Sequence, residues 1–145
     1  MGKAWDIEWV GASVTSKRPR RSTLAVIPVV KCERMSRSVL FYTWILDFKL
    51  AHIFPGPTDP AYAILTRDGD ELHLSSQPDD GIAGQTVLVL TKDVDADFAG
   101  MMERGFVPPD QQDSPLHQGP VDQTWGTREF AVDDPDGNTI CFVQR

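Results

Sequence analysis

The sequence predicts an α+β fold made of two paired β-α-β-β-β modules. One observation is a repeat: Tyr62–Leu74 matches Phe130–Phe142 without a gap, and each stretch contains an Asp-Gly dipeptide. A second observation is that a strand-then-helix pattern precedes each of these stretches. One sheet face of each copy is apolar and cannot be buried by that copy alone, so we expect the copies to pack together around a two-fold cavity.

The first module begins with an apolar segment, Leu24–Val30, whose β-branched residues predict a buried strand. Pro28 has no amide hydrogen, which favours an edge strand or a bulge at that point. Ser36 or Ser38 is the expected N-cap of the helix that follows. The apolar stripe of this helix contains Val39, Leu40, Tyr42, Trp44, Ile45 and Leu46.

The first module continues with a strand over residues 48–53, a Pro-Gly-Pro loop and a hairpin. The dipeptide Asp68-Gly69 at the centre of this hairpin is a strong signal for a two-residue turn. The second module restarts the same order with Thr86–Leu90 as a strand.

A helix with Phe98, Met101 and Met102 on its apolar side follows the first strand of the second module. Asp95 or Asp97 is its expected N-cap, and Gly105 is placed to end it in a left-handed conformation. A loop over residues 108–123, rich in Pro, Gln and Asp, leads to the second hairpin.

The charge of the chain is uneven. The total is −7, and residues 1–22 carry five basic and two acidic side chains, which leaves −10 on the remainder. An acidic body would repel nucleic acid and attract a cationic small molecule. Acidity also maintains solubility, which is the simpler explanation. We therefore expect a small-molecule ligand and no nucleic-acid partner.

Length and composition predict one domain in a reducing compartment. Residues 1–22 are expected to be an appendage or linker, and residues 23–145 one domain of two modules, 23–80 and 84–145. No apolar run approaches the ~18 residues of a membrane span, and residues 1–22 lack the apolar centre of a signal peptide. Two cysteines make no disulfide framework, so we expect a cytoplasmic protein without a membrane partner.

Several motifs in this order resemble the glyoxalase/bleomycin resistance/dioxygenase superfamily, also called the vicinal oxygen chelate proteins. They are Ser38–Tyr42 with Leu46–Phe48, then Glu71–Leu74, and finally Trp125–Phe130 running into Asp134–Asn138. The form Trp-Gly-x-Arg-Glu-Phe most resembles the bleomycin-resistance branch. The resemblance covers residues 24–144, and it implies curved mixed sheets that enclose a cavity.

In the metal enzymes of this superfamily, four sheet positions supply His and Glu ligands to a divalent ion. The resemblance places these positions at Ile27, His73, Thr86 (give or take one residue) and Cys141. Such a site needs about three protein ligands, and the set expected for manganese or iron is absent. His73 and Cys141 remain weak metal candidates, and a Cys–His nucleophilic pair is a further alternative.

The resemblance favours ligand binding over catalysis. In bleomycin-resistance proteins planar drug rings stack between aromatic side chains, and the corresponding positions here are Tyr62 and Trp125. We predict no catalytic residue and no cofactor. The residues expected around the ligand are Ile27, Tyr62, His73, Trp125, Phe130 and Cys141.

Three functions remain open. The first is a homodimeric, non-catalytic protein that sequesters a bulky cationic or aromatic compound such as an antibiotic. The second is a metal-dependent lyase, isomerase or dioxygenase of the same superfamily with an altered metal site. The third is a partner-binding role of the basic N-terminal segment, which contains Trp5 and Trp9.

Overall fold

The computed structural model describes residues 22–145 of the chain. The predicted appendage, with Trp5 and Trp9, therefore lies outside the described residues, except for Ser22. No helix in the described part combines the length and apolar character that crossing a membrane requires.

The described chain alternates strands and helices in the order that the sequence predicts. The helices are α1 (Met35–Leu40, continued by a π-helical turn over Phe41–Ile45) and α2 (Val94–Glu103), with a 3₁₀ turn at Pro115–His117. The strands are β1 (Val29–Lys31), β2 (Lys49–Phe54), β3 (Tyr62–Arg67), β4 (Asp70–Ser75), β5 (Thr86–Leu90), β6 (Val121–Asp122), β7 (Arg128–Asp133) and β8 (Thr139–Gln144).

The strands form two four-stranded mixed sheets of the same design. The first has the order β1-β4-β3-β2 and the second the order β5-β8-β7-β6. In each sheet the first strand of the module pairs in parallel with the last, and the other neighbours are antiparallel. The predicted α+β fold with two equivalent modules is confirmed.

The first strand is shorter than the sequence predicts. It begins at Val29, whereas the predicted strand began at Leu24. Pro28 offers the ladder only its carbonyl, which accepts a hydrogen bond from the His73 amide at 3.0 Å. Before it, Leu24 and Val26 are almost fully exposed, so the apolar content of this segment does not reflect burial in this chain.

Neither helix begins with the predicted cap. Met35 is the first residue of α1, and its amide donates to the Asp59 carboxylate at 2.9 Å, 24 residues away in sequence. Ser38, a predicted cap, is instead buried inside the helix. Asp93 caps α2 by accepting from the Ala96 amide at 3.0 Å, whereas the predicted caps Asp95 and Asp97 lie in the first turn.

The C-terminal end of α2 agrees with the sequence prediction. Gly105 has φ +105°, a conformation that glycine adopts without strain. The Gly105 and Phe106 amides donate back to the carbonyls of Met102 and Met101, at 3.0 and 2.9 Å. These bonds satisfy carbonyl groups that the helix end would otherwise leave unpaired.

Both modules contribute to one hydrophobic core. It contains Tyr42, Leu65 and Leu74 from the first module, and Met101, Phe130 and Phe142 from the second. Polar bonds also cross the module boundary: the Trp44 indole donates to the Arg104 carbonyl at 2.7 Å, and the Arg104 guanidinium donates to the Ile45 carbonyl at 2.8 Å. Each sheet thus has one face in the shared core, and we call the opposite face its outer face.

The repeat is not gapless in three dimensions. Ile64 pairs with His73 in the first sheet, and Ala131 pairs with Cys141 in the second. His73 and Cys141 are 68 residues apart, but Ile64 and Ala131 are only 67 apart. The second hairpin therefore has one more residue between equivalent paired positions, and Tyr62 corresponds to Glu129 rather than to Phe130. Since side chains alternate across a strand, this single residue reverses the face on which each matched residue lies.

Candidate functional site

Aromatic rings cross the outer face of the first sheet. His52 stacks on Phe54 with ring centroids 6.1 Å apart, and Phe54 stacks on Tyr62 at 6.3 Å. The Tyr62 ring then meets His73 edge-on at 5.3 Å. Phe54 pairs with Tyr62 across neighbouring strands, which brings their side chains to the same face. Phe54 is 47% exposed, so its ring offers a planar apolar surface beside the more covered Tyr62.

A chain of hydrogen bonds fixes Tyr62 in this row. The Tyr62 hydroxyl lies 2.7 Å from Nδ1 of His73, and Nε2 of His73 lies 2.8 Å from the Glu71 carboxylate. With Glu71 ionised, Nε2 carries the proton and Nδ1 accepts the hydrogen bond from Tyr62. Burial, with a smaller contribution from the charge of Asp80, raises the pKa of Tyr62, which keeps the phenol protonated at neutral pH.

The outer face of the second sheet contains an exposed indole held by a carboxylate. Trp125 is 69% exposed, and its Nε1 donates to Oε2 of Glu129 at 3.3 Å. The Thr127 hydroxyl donates to the same oxygen. The Cys141 thiol lies 3.6 Å from Oε1 of Glu129. Burial, followed by the charge of Glu129, raises the pKa of Cys141 to about 11, so the thiol is not a nucleophile at neutral pH.

Apolar side chains surround these polar groups on the second sheet. Leu88 pairs with Cys141 and Leu90 with Val143, which places both leucines on the outer face. Leu88 is 63% exposed and Leu90 is 55% exposed, although both lie in a strand of a sheet. Large apolar side chains at this exposure mark a surface suited to contact with another molecule.

The structure brings some predicted site residues together and separates others. Tyr62 and His73 are in contact on the first outer face, and Trp125 and Cys141 both contact Glu129 on the second. Phe130, which was expected beside the ligand, points the other way: it is fully buried and stacks on Phe142 at 4.9 Å. The register of the longer second hairpin is the reason.

Ile27 lies one residue before Pro28, whose carbonyl accepts a hydrogen bond from the His73 amide. It precedes β1 and lines a cavity of about 360 Å³ between the two modules. This cavity is bounded by residues 25–28, by the end of the first hairpin over residues 67–72, and by β5 residues 87–90. The same cavity is lined by Glu71, which contacts His73, and by Leu88 and Leu90 of the second outer face.

The side chains at the superfamily metal positions do not fit a divalent ion. Ile27 has no donor atom, and Thr86 lies at the exposed start of β5. Both ring nitrogens of His73 are engaged by Tyr62 and Glu71, and its sheet is not that of Cys141. Within residues 22–145 no group of three His, Cys, Asp or Glu side chains is arranged to hold a metal. Within the same residues His73 and Cys141 share no hydrogen bond, so they form no Cys–His nucleophilic pair.

Sequence reasoning missed three residues of these faces. His52 and Phe54 were given no role, although their spacing of two along a strand places both on one face. Glu129 was not among the residues expected around the ligand. The only signal for its position is its correspondence to Tyr62, and the assumption of a gapless repeat concealed that correspondence.

The protein is a two-module α+β protein whose modules share one core. The outer face of each module has aromatic and polar side chains suited to a ligand. A family model described as the Glyoxalase/Bleomycin resistance protein/Dioxygenase superfamily matches residues 28–142. The chain belongs to this superfamily. No match was found among curated protein sequences.

Solved structures support the same fold. A bleomycin-binding protein complexed with bleomycin is similar at 20% identity and a TM-score of 0.67, covering 85% of this chain and 99% of its own. A bleomycin resistance determinant encoded on the transposon Tn5 gives 18% identity, a TM-score of 0.66 and coverages of 85% and 98%. A bleomycin-binding protein from Streptomyces verticillus, complexed with copper(II)-bleomycin, gives 24%, 0.61, 85% and 97%.

Proposed function

We propose that this protein binds and sequesters a bulky cationic or aromatic compound and performs no chemistry on it. The observation that supports this most directly is the pair of exposed aromatic surfaces, Phe54 over Tyr62 on the first outer face and Trp125 on the second. Planar ligands gain both area burial and favourable stacking between such rings. Tyr62, His73 and Cys141 would form the floor of the site.

The site is completed by a second copy of the chain. The first outer face of one protomer would lie against the second outer face of its partner. The exposed side chains of Leu88, Leu90 and Phe54 support this arrangement, because dimer formation would bury them together. Each dimer would then hold two equivalent cavities, each with aromatic rings from both protomers.

The ligand would be drawn to this site by charge as well as by stacking. Glu71 and Glu129 lie in the two outer faces, and the chain has a net charge of −7. Negative charge along a cleft raises the local concentration of cations and the rate at which they bind. The proposal is supported by two bleomycin-binding proteins of the same fold, whose structures are complexes with bleomycin and with copper(II)-bleomycin.

Isothermal titration calorimetry with bleomycin tests the proposal. We expect about one ligand for each chain, and Trp125→Ala and Phe54→Ala should each weaken binding by ~1 kcal/mol or more. Trp44→Ala is the matched control, because Trp44 is 59% exposed but lies in the π-helical turn after α1 and not on an outer face. Unchanged affinity in both Trp125→Ala and Phe54→Ala would refute the proposed site.

A further inference from the structure

The carboxylate of Glu129 is satisfied by neutral groups alone within the described chain. Its contacts are the Trp125 indole, the Thr127 hydroxyl and the Cys141 thiol. The adjacent Arg128 does not neutralise it, because the Arg128 guanidinium is engaged by Asp95 at 2.9 Å and by Asp122 at 3.2 Å. Glu129 makes no ion pair within residues 22–145, so its negative charge remains uncompensated there.

This charge lies directly beside an exposed aromatic ring. The indole nitrogen of Trp125 is 3.3 Å from Oε2 of Glu129, so a ligand on the Trp125 ring is within a few ångströms of the carboxylate. A cation in that position is attracted both by the face of the indole and by the charge of Glu129. A neutral ring of the same shape gains the stacking but not the charge interaction.

The partner of Glu129 in the repeat shows how the two faces differ. Tyr62 occupies the equivalent position in the first module, where it contacts His73 as Glu129 contacts Cys141. The first module thus has a neutral phenol where the second has a carboxylate. The difference places a carboxylate directly beside the exposed Trp125 ring, whereas the carboxylate of the first outer face, Glu71, contacts His73.

We infer that Glu129 is a specificity-determining residue that makes the Trp125 surface prefer planar organic cations over neutral rings of the same size. This inference rests on the proposed function and adds the group that sets its charge preference. The ligand class is a planar or ring-bearing compound whose positive charge lies on or next to the ring.

A matched pair of probes separates charge from shape. At pH 8, N-methylacridinium is a permanent cation, whereas acridine is neutral and nearly the same size. We expect fluorescence titration of the full chain at low salt to show tighter binding of the cation. Glu129→Gln should lower the affinity for N-methylacridinium roughly tenfold and leave that for acridine nearly unchanged. Glu129→Asp, which keeps the charge, should retain most of the preference.

Further variants keep the result interpretable. Glu103→Gln removes an exposed charge at the end of α2 and should change neither affinity. An equal loss of affinity for both probes in Glu129→Gln would overturn the inference, because Glu129 would then only hold Trp125 in place. If, in that case, Trp125→Ala abolished the binding of both probes, the proposed function would stand. If the wild-type protein bound neither probe, the aromatic site and the inference would both be refuted.

Salt dependence provides a second measurement that does not depend on the stability of the variant. In the wild-type protein the affinity for N-methylacridinium should fall with rising ionic strength, and that for acridine should not. The same slope for both probes would contradict a role for Glu129 as counter-charge.

Discussion

Tyr42 and Asp134 belong to different modules, and the Tyr42 hydroxyl donates a 2.7 Å hydrogen bond to Oδ2 of Asp134 where both side chains are buried. The Asp134 carboxylate also accepts hydrogen bonds from the backbone amides of Asp136 and Asn138 and from the Asn138 side-chain amide. The Asn138 amide also reaches the carbonyl of Lys31 at 2.9 Å. The turn of the second hairpin is thereby fastened to the first module.

Tyr42→Phe tests how much this bond stabilises the fold. Removing the hydroxyl leaves a buried carboxylate with one donor fewer, so we expect a loss of about 1–3 kcal/mol in the free energy of unfolding, measured in urea. Tyr62→Phe is the matched control, because the Tyr62 hydroxyl lies at the half-buried outer face. A smaller loss in Tyr42→Phe than in Tyr62→Phe would show that the bond between the modules is not a major source of stability.

The association of two chains through the outer faces is tested at Leu88. Leu88→Asp puts a charge in the proposed apolar contact, and we expect it to convert a dimer into a monomer. Ile82→Asp is the control, since Ile82 is 83% exposed and lies in the segment that links the two sheets. Sedimentation velocity distinguishes the two species. A dimer that persists in Leu88→Asp, or a monomeric wild-type protein, contradicts the proposed arrangement.

The two thiols predict a loss of stability at alkaline pH. Burial raises the pKa of Cys32 and of Cys141 to about 11, from an ordinary value of 9.0. Between pH 9 and 11 the unfolded chain releases thiol protons that the folded chain keeps, so the free energy of unfolding should decrease as the pH rises through this range. Thermal unfolding across the range should show a shallower decrease in a Cys32→Ala, Cys141→Ala variant. Parallel curves would mean that the thiols titrate alike in both states.

Local signals predicted the elements of this fold well. The Asp68-Gly69 turn has positive φ at both residues, as the two-residue turn requires, and Gly105 ends α2 as expected. The alternation of strand and helix gave the correct module order. These features depend on residues close together in the sequence, which is why the sequence predicts them.

Features that depend on distant contacts were predicted less well. The cap of α1 comes from Asp59, and no pattern near Met35 indicates it. The outer-face role of Glu129 depends on the register of the second hairpin, which its turn sets. Of the residues predicted around the ligand, Tyr62, His73, Trp125 and Cys141 lie at the outer faces, whereas Phe130 faces the core. Phe54 was not among them.

The one extra residue between paired positions of the second hairpin has a consequence for how such duplicated proteins diversify. A substitution changes one side chain. An insertion of one residue instead moves every side chain of the strand to the opposite face of the sheet. Here the Glu129 side chain contacts Cys141, where the first module has Tyr62 in contact with His73. Two copies of one ancestral half-site can thereby come to differ in chemistry, so that together they bind the two dissimilar ends of a single asymmetric molecule.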